Sequence, residues 1–310
     1  MMFSRAGKVA LCIVALSVTV LVGACAEKPN YDKIRLQTEG ETSRASSVAT
    51  SKTPLRVGIA AVISPKETLR SYNEILDYLG EKIDNPVELY QRQTYAEMND
   101  LVRSGNVDLA FICTQAYVEG QSEFGLELLV APQVRGKAEY YSYLIVPKDS
   151  PIETFEQLRG GTFAFSDPQS NSGRLAPLSY LRQIGEMPES FFKKSFFTYS
   201  HDKSIKAVAE KLVDAASVDS LVYDYHVTVD PRYTSRTKVI KKFGPYGSPP
   251  VVVRPGLDPA LKEKLKGILL NMHDDEKGGK ILGALLIDRF VVPDEKAYDP
   301  VRDMLANVRQ

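Results

Sequence analysis

The sequence of 310 residues predicts an α/β protein built from two lobes, with a ligand cleft between them. Segments with the spacing of strands and helices alternate through residues 55–112, and the alternation returns through residues 144–218. After Gly247 the pattern changes to one strand and two or three helices, which indicates a return to the first unit. The length also suits two domains, since a domain usually has roughly 100–200 residues.

The amino-terminal segment predicts a signal peptide covering residues 1–24. Arg5 and Lys8 precede an uncharged apolar run that is too short to cross a bilayer comfortably. The run ends in Gly23-Ala24-Cys25, and small residues directly before a cysteine resemble the lipobox of bacterial lipoproteins. The resemblance implies cleavage before Cys25 and lipidation of that residue. The alternative is an ordinary signal peptide with a cysteine there by chance.

Residues 25–53 predict a lipidated Cys25 followed by a flexible tether, because large apolar residues are few and Ser, Thr, Glu and Lys are many. Several acyl chains on one residue anchor a protein stably, so the mature chain is expected outside the cytoplasm and attached to a membrane. Cys12 leaves with the leader. Cys113 follows the apolar run 109–112, which favours a buried, unreactive thiol over a nucleophile.

The first lobe is predicted from residues 54–143 together with residues 248–310. Its predicted strands before the crossing are residues 55–59, 87–90 and 107–112. The helix after the first strand is expected to stop at Gly80, and the next helix to begin at a capping box of Thr94 and Glu97. This order of strands and helices implies a parallel sheet with helices on both faces.

The second lobe is predicted from residues 144–247. Its predicted strands are residues 144–146, 162–165, 196–198 and 215–218. Helical spacing follows the second and third of these strands. Ligands of open α/β sheets bind beyond the carboxyl ends of the strands, so two facing sheets place the ligand in the cleft between the lobes.

Charge and motif content exclude several classes of protein. The chain has 39 basic and 39 acidic residues, whereas a nucleic-acid-binding protein needs a surplus of Lys and Arg. No Gly-x-Ser-x-Gly or His-Glu-x-x-His motif occurs in the sequence. The three histidines, His201, His226 and His273, are not spaced as metal ligands. We therefore expect neither catalysis nor a cofactor or metal.

One polar loop predicts an anion site. Residues 167–173, Asp-Pro-Gln-Ser-Asn-Ser-Gly, follow a predicted strand and precede a predicted helix. Free backbone N–H groups and the positive end of the helix dipole favour anions at such a position. The alternative is that Ser170 or Ser172 merely caps the helix.

Further polar side chains follow other predicted strands. His201 begins a helix, where it could donate to an anion or simply cap and pack. Asp219 lies at the carboxyl end of a strand, and Tyr117 either closes over a ligand or belongs to the core. Thr68, in the polar segment after the first strand, is a further ligand-binding candidate.

Together these segments resemble the phosphate/phosphite/phosphonate-binding lipoproteins of ABC transporters, over roughly residues 54–300. The most specific part is the Asp-Pro…Ser-x-Ser-Gly loop combined with the His-Asp start of a helix. The resemblance implies a type II periplasmic-binding-protein fold that closes on an oxyanion. The anion-binding residues that it implies are Ser170, Asn171, Ser172 and His201, with Tyr95, Tyr117 and Asp219 as further candidates.

Two features depart from that family's pattern. The middle position of its Ser-Thr-Ser loop is Asn171 here. Relatives that bind aminophosphonates carry a carboxylate near the position of Ser248 and Pro249, where this chain has none. The departures favour phosphate, phosphite or a simple alkylphosphonate over a ligand that bears an amine.

The resemblance also implies partners: an ABC permease and its ATPase, with the binding protein itself a monomer. Two other functions remain open from the residues alone. A sensory binding protein that presents its ligand to a membrane receptor would share the same pocket. An exported hydrolase using Ser and His is the other alternative, and the missing motifs count against it.

Overall fold

The computed structural model describes residues 53–309, with the backbone alone for residues 65–71 and 309. The predicted signal peptide, the lipidation site Cys25 and the tether up to residue 52 lie outside the described residues. The side chain of Thr68 lies outside them as well. Within residues 53–309, every helix is too short or too polar to cross a membrane.

The strands of the described residues form two sheets. In chain order they are β1 (Leu55–Ile59), β2 (Val87–Gln91), β3 (Leu109–Phe111), β4 (Glu127–Gln133), β5 (Glu139–Pro147), β6 (Thr162–Phe165), β7 (Lys194–Phe197), β8 (Ala215–Asp219), β9 (Thr237–Gly247), β10 (Val251–Val253) and β11 (Arg289–Val291). The order is β11-β4-β10-β3-β1-β2 in the six-stranded sheet and β7-β6-β8-β5-β9 in the five-stranded sheet.

Helices cover both sheets. They are α1 (Pro65–Ile83), α2 (Tyr95–Arg103), α3 (Thr114–Phe124), α4 (Ala176–Gln183), α5 (Pro188–Phe191), α6 (His201–Ala209), α7 (Ser220–Val229), α8 (Pro259–Leu270), α9 (Glu276–Ala284) and α10 (Asp299–Arg309). A five-residue π-helix, Asn171–Leu175, leads directly into α4.

Parallel strands in each sheet bring loops to the centre of the molecule. β1 pairs in parallel with β2 and β3, and β6 pairs in parallel with β7 and β8. The segment after β1 meets the start of α6, which follows β7, because the His201 N–H donates to the Val62 carbonyl at 2.9 Å. The carboxyl ends of parallel strands from both sheets therefore converge on one region.

The chain crosses between the sheets twice, at residues 134–138 and 248–250. Both crossings lie beside the long antiparallel pair of β5 and β9, whose register places Glu139 opposite Gly247. Residues 139–143 pair in the five-stranded sheet, although the sequence pattern placed them with the first lobe.

Four apolar cores stabilise this arrangement, one under the six-stranded sheet, two under the five-stranded sheet and one that joins both lobes. The joining core contains Tyr95 from α2, Tyr140 from β5, Leu175 from the π-helix and Tyr298 before α10. Helix α10 packs against α3 and α4, which belong to different lobes. The carboxyl-terminal helix therefore links the two lobes.

Local sequence signals fare differently in the structure. The capping box is confirmed, since Thr94 accepts the N–H of Glu97 and Glu97 accepts the N–H of Thr94. The expected stop at Gly80 is wrong, because α1 continues to Ile83. A Cβ at position 80 would lie 3.2 Å from the Asn85 carbonyl oxygen, so the glycine allows the returning chain to pass close to the helix.

Candidate functional site

Two hydrogen bonds from backbone N–H groups to carboxylates join the lobes across the cleft between the two sheets. The Tyr95 N–H, at the start of α2, donates to the Asp167 carboxylate of the loop after β6 at 3.2 Å. The Ser64 N–H, just before α1, donates to the Asp202 carboxylate of α6 at 2.9 Å. Two carboxylates of one lobe thus hold the amino ends of two helices of the other lobe, where the helix dipole favours negative charge.

A cluster of buried polar side chains lies in this closed cleft, and each of its members is at most 3% exposed. We call it the cleft cluster, and it consists of Tyr95, Tyr140, Ser166, Ser170, Asn171, Ser172, Ser200, His201 and Asp219. The members lie after strands or at the start of helices, except Tyr140, which lies within β5, and Asp219, which is the last residue of β8.

The loop after β6 brings three predicted residues together. The Ser170 hydroxyl accepts the N–H of Gly173 at 2.9 Å and so caps the π-helix. The Asn171 side-chain amide donates to the Tyr140 hydroxyl at 2.8 Å. The Ser172 carbonyl accepts a hydrogen bond from Ser142 at 2.7 Å, which fixes the backbone of this residue. The capping alternative therefore applies to Ser170, whereas the Ser172 hydroxyl does not cap.

His201 is held in one tautomer. Its Nδ1 lies 3.1 Å from the backbone N–H of Asp219 and 2.9 Å from the Ser166 hydroxyl. A backbone N–H can only donate, so Nδ1 accepts, and the proton of the neutral ring lies on Nε2. Nε2 is 3.4 Å from the Ser170 hydroxyl. Burial lowers the pKa of His201 to about 3, so the ring is a neutral donor at physiological pH.

Asp219 ends β8 and caps α7. Its carboxylate accepts the N–H of Leu221 at 2.7 Å and the N–H of Val222 at 3.4 Å. Burial raises the pKa of Asp219 to about 7, in spite of these two hydrogen bonds, which lower it. Near neutral pH this group therefore exists both as carboxylate and as carboxylic acid.

Four polar atoms of the cleft cluster have no hydrogen-bond partner in the part of the chain that the structure describes. They are Tyr95 Oη, Asn171 Oδ1, Ser172 Oγ and Ser200 Oγ. Buried polar atoms are nearly always hydrogen-bonded, and an unpaired one costs about 1–3 kcal/mol. Four of them beside the neutral donor His201 indicate a binding site for a small polar ligand.

Tyr117 takes part in a different contact. Its hydroxyl donates to Glu295 at 3.1 Å, and its ring packs edge-on against Tyr298 at a centroid distance of 4.9 Å. Glu295 also accepts a hydrogen bond from Gln121. The structure therefore places Tyr117 in the contact between α3 and the carboxyl-terminal segment, whereas Tyr95 lies in the cleft cluster.

The cleft cluster contains no cationic side chain. Among residues 53–64 and 72–308, whose side chains the structure describes, the buried polar side chains include neither Lys nor Arg. The described residues also contain no group of His, Cys, Asp and Glu that could hold a metal ion. Cys113 lies nearby, and burial raises the pKa of its thiol to about 12. An anion bound here would meet hydroxyls, amides, an uncharged imidazole and the carboxyl group of Asp219.

The family of the chain is shown by a comparison with known proteins. A family model described as an ABC transporter, phosphonate, periplasmic substrate-binding protein matches residues 57–298. The chain belongs to this family. Proteins of this family bind substrates for ABC transporters and are not enzymes, so the prediction of a non-enzymatic protein is confirmed. The family's periplasmic location also makes the chain extracytoplasmic.

Individual members of the family are distant relatives. The chain is 26% identical over 255 residues to the phosphonates-binding periplasmic protein of Escherichia coli (strain K12). This alignment covers 81% of this chain and 75% of that protein. It is 24% identical over 247 residues to a probable ABC transporter phosphite-binding protein of Prochlorococcus marinus (strain MIT 9301). That alignment covers 76% of this chain and 83% of the relative.

The fold prediction is confirmed by a solved structure of the family. A binding-protein component of an ABC phosphonate transporter from Pseudomonas aeruginosa superposes with a TM-score of 0.77 at 25% identity. The superposition covers 83% of this chain and 87% of that protein. The two-lobed periplasmic-binding-protein fold of this chain is therefore shown.

Sequence reasoning missed several members of the cleft cluster. Ser200 directly precedes the predicted helix start at His201, and Ser166 directly follows a predicted strand, so position alone could have suggested both. Tyr140 lies inside a strand and gave no such signal. Its role depends on the hydrogen bond with Asn171, which only the folded structure shows.

Proposed function

We propose that the cleft cluster binds a phosphorus oxyanion (phosphonate, phosphite or phosphate) and that the protein delivers it to an ABC importer. The three unpartnered buried hydroxyls of the cleft cluster and the neutral Nε2–H of His201 carry this proposal. The hydroxyls of Tyr95, Ser172 and Ser200 supply further donors for oxygen atoms of the ligand. Ser170 and Asn171 shape the loop, and Tyr117 acts outside the binding set.

The number of donors suits an affinity in the micromolar range. Hydrogen bonds to a charged group contribute about 1.5–3 kcal/mol each. Four such bonds give roughly 6–12 kcal/mol before the cost of association, and a micromolar dissociation constant needs about 8 kcal/mol net. The positive amino end of α6, which lacks a side-chain cap, adds a favourable field.

Asp219 gives the site its selectivity. A partly protonated phosphorus acid offers a P–OH proton that the Asp219 carboxylate accepts. Sulfate is fully ionised and offers no such proton, so the same carboxylate repels it. The raised pKa of Asp219 is consistent with a carboxyl group that shares a proton with its ligand.

A thermal-shift panel on the purified protein tests this function. Phosphate, phosphite, methylphosphonate, 2-aminoethylphosphonate and sulfate are compared at equal concentrations. We expect stabilisation by at least one phosphorus acid, about 2.7 kcal/mol at one hundred times its dissociation constant. Sulfate should have no effect. Equal stabilisation by sulfate would refute the role of Asp219, and no stabilisation by any phosphorus acid would refute the proposed function.

The lipid anchor and the movement of the lobes belong to the same proposal. Cys25 carries the lipid, and residues 26–53 form the tether. The protein is a monomer, and its two lobes rotate about residues 134–138 and 248–250. Mass spectrometry of the mature amino terminus tests the anchor. We expect the mass of acyl chains on Cys25. In the variant Cys25→Ala, both this mass and the attachment to the membrane should be lost. An unmodified amino terminus contradicts the anchor.

A further inference from the structure

A cavity of about 490 Å³ lies between the lobes beside the cleft cluster. Ile59 and Phe111 line it from the carboxyl ends of β1 and β3, and Tyr72 lines it from α1. Leu221 and Val222 of α7 line it from the other lobe. Its volume falls within the range of about 300–1,000 Å³ that is typical of pockets for organic ligands, and far exceeds the roughly 30 Å³ of one water molecule.

Two carboxylates of the cavity wall make contacts within the protein, and one of these contacts is an ion pair. Asp224 forms an ion pair with Arg135 at 3.1 Å. The Asp288 carboxylate accepts the N–H of Gly136 at 2.7 Å. Asp219 is the remaining charged residue of the described cavity wall. Away from Asp219 and Asp288, the cavity therefore offers mainly apolar surface to a ligand.

Asp219 connects the cavity to the cleft cluster. It lines the cavity, and its backbone N–H contacts the ring of His201. Asp219 therefore belongs both to the cavity wall and to the cleft cluster. A ligand with its anionic group in the cleft cluster has this cavity as the adjoining space for the rest of the molecule.

We propose that the cavity holds the organic substituent of the ligand, and that this substituent is an uncharged hydrocarbon chain of several carbon atoms. The inference rests on the proposed function, because it requires the phosphonate group to bind in the cleft cluster. The apolar wall from both lobes favours the hydrocarbon, because an ammonium group would lose hydration against that wall. The Asp224 carboxylate is already paired with Arg135.

Calorimetric titration of the purified protein with a ligand series tests this inference. Methyl-, ethyl-, propyl- and butylphosphonate should bind with affinities that rise about threefold to fourfold for each methylene group. Propylphosphonate should bind at least tenfold more tightly than 2-aminoethylphosphonate, which has nearly the same size but ends in an ammonium group.

A pair of leucine variants locates the effect. In Leu221→Ala the ratio of butylphosphonate affinity to methylphosphonate affinity should fall several-fold, because this side chain lines the cavity. In the control Leu212→Ala the ratio should not change, because Leu212 is 67% exposed and lies outside the cavity wall.

The outcomes separate this inference from the proposed function. If methylphosphonate or phosphate binds but affinity is flat or falls with chain length, the hydrocarbon substituent is refuted and the proposed function stands. Tighter binding of 2-aminoethylphosphonate than of propylphosphonate refutes it as well. If no phosphorus acid binds, the proposed function fails, and the inference fails with it.

Discussion

Replacing Gly173 by alanine should weaken methylphosphonate binding by at least 100-fold. The added Cβ would lie 2.1 Å from the Ser166 hydroxyl oxygen and 2.9 Å from the Ser170 hydroxyl oxygen. Both hydroxyls contact the ring of His201, so relieving the overlap displaces the serines and the imidazole together. Losing two hydrogen bonds to a charged ligand costs about 3–6 kcal/mol, which corresponds to roughly 100-fold or more.

Calorimetric titration measures this loss, and a second glycine serves as the control. Gly267 lies within α8, where an added Cβ has no neighbouring atom within 4 Å. Gly267→Ala should leave the affinity unchanged and raise the melting temperature slightly, because alanine favours a helix over glycine by about 1 kcal/mol. A dissociation constant for Gly173→Ala within fivefold of the parent value would show that the loop geometry does not control binding.

Replacing Asp219 by asparagine should stabilise the ligand-free protein at pH 8 and give no such gain near pH 4. Burial raises the pKa of this carboxyl from 3.8 to about 7. Between those values the folded chain holds a proton that the unfolded chain has released, so stability falls as the pH rises through this range. At pH 8 the free energy of unfolding of the asparagine variant should then exceed that of the parent by about 1–4 kcal/mol.

Asparagine is a matched replacement because its side-chain oxygen can still cap α7. Denaturant unfolding of parent and variant across the pH range gives the difference directly. The lowered pKa of His201 makes stability fall as the pH drops from 6.5 toward 3, but this effect is present in both proteins and cancels. A difference that stays constant from pH 4 to pH 8 would show that Asp219 does not titrate as described.

The alternation of strands and helices could be predicted where buried faces are made of large apolar residues. Strands β1 and β6 and the capping box of α2 gave such signals. Helix α3 gave none, because its buried face includes Thr114, Ala116 and Gly120 instead of a regular apolar stripe. Strand β9 lies at the edge of its sheet, so lysines and a proline are tolerated there and hide the strand pattern.

The site could be predicted to the extent that its residues follow strands in the sequence. This rule brought Ser170, Ser172, His201 and Asp219 into one cluster. It could not separate Tyr95 from Tyr117, because the partner of Tyr117, Glu295, is 178 positions away along the chain. Such a pairing depends on how the carboxyl-terminal segment folds back, which local patterns do not reveal.

The two acidic residues of the most specific motifs have roles that the sequence did not indicate. Asp167 and Asp202 are not among the described residues with a buried, unpartnered side-chain atom. Their carboxylates accept N–H groups of the opposite lobe, from Tyr95 and Ser64. Each of the two motifs therefore contains at least one member of the cleft cluster together with an aspartate, Asp167 or Asp202, that joins the two lobes across the cleft.

A crystal structure of the protein with methylphosphonate tests the central claim most directly. We expect phosphonate oxygens within about 2.6–3.2 Å of Ser172 Oγ and His201 Nε2, with no lysine or arginine side chain in contact. An ammonium or guanidinium group bound to the phosphonate, or a ligand that lies outside the cleft cluster, would contradict the account.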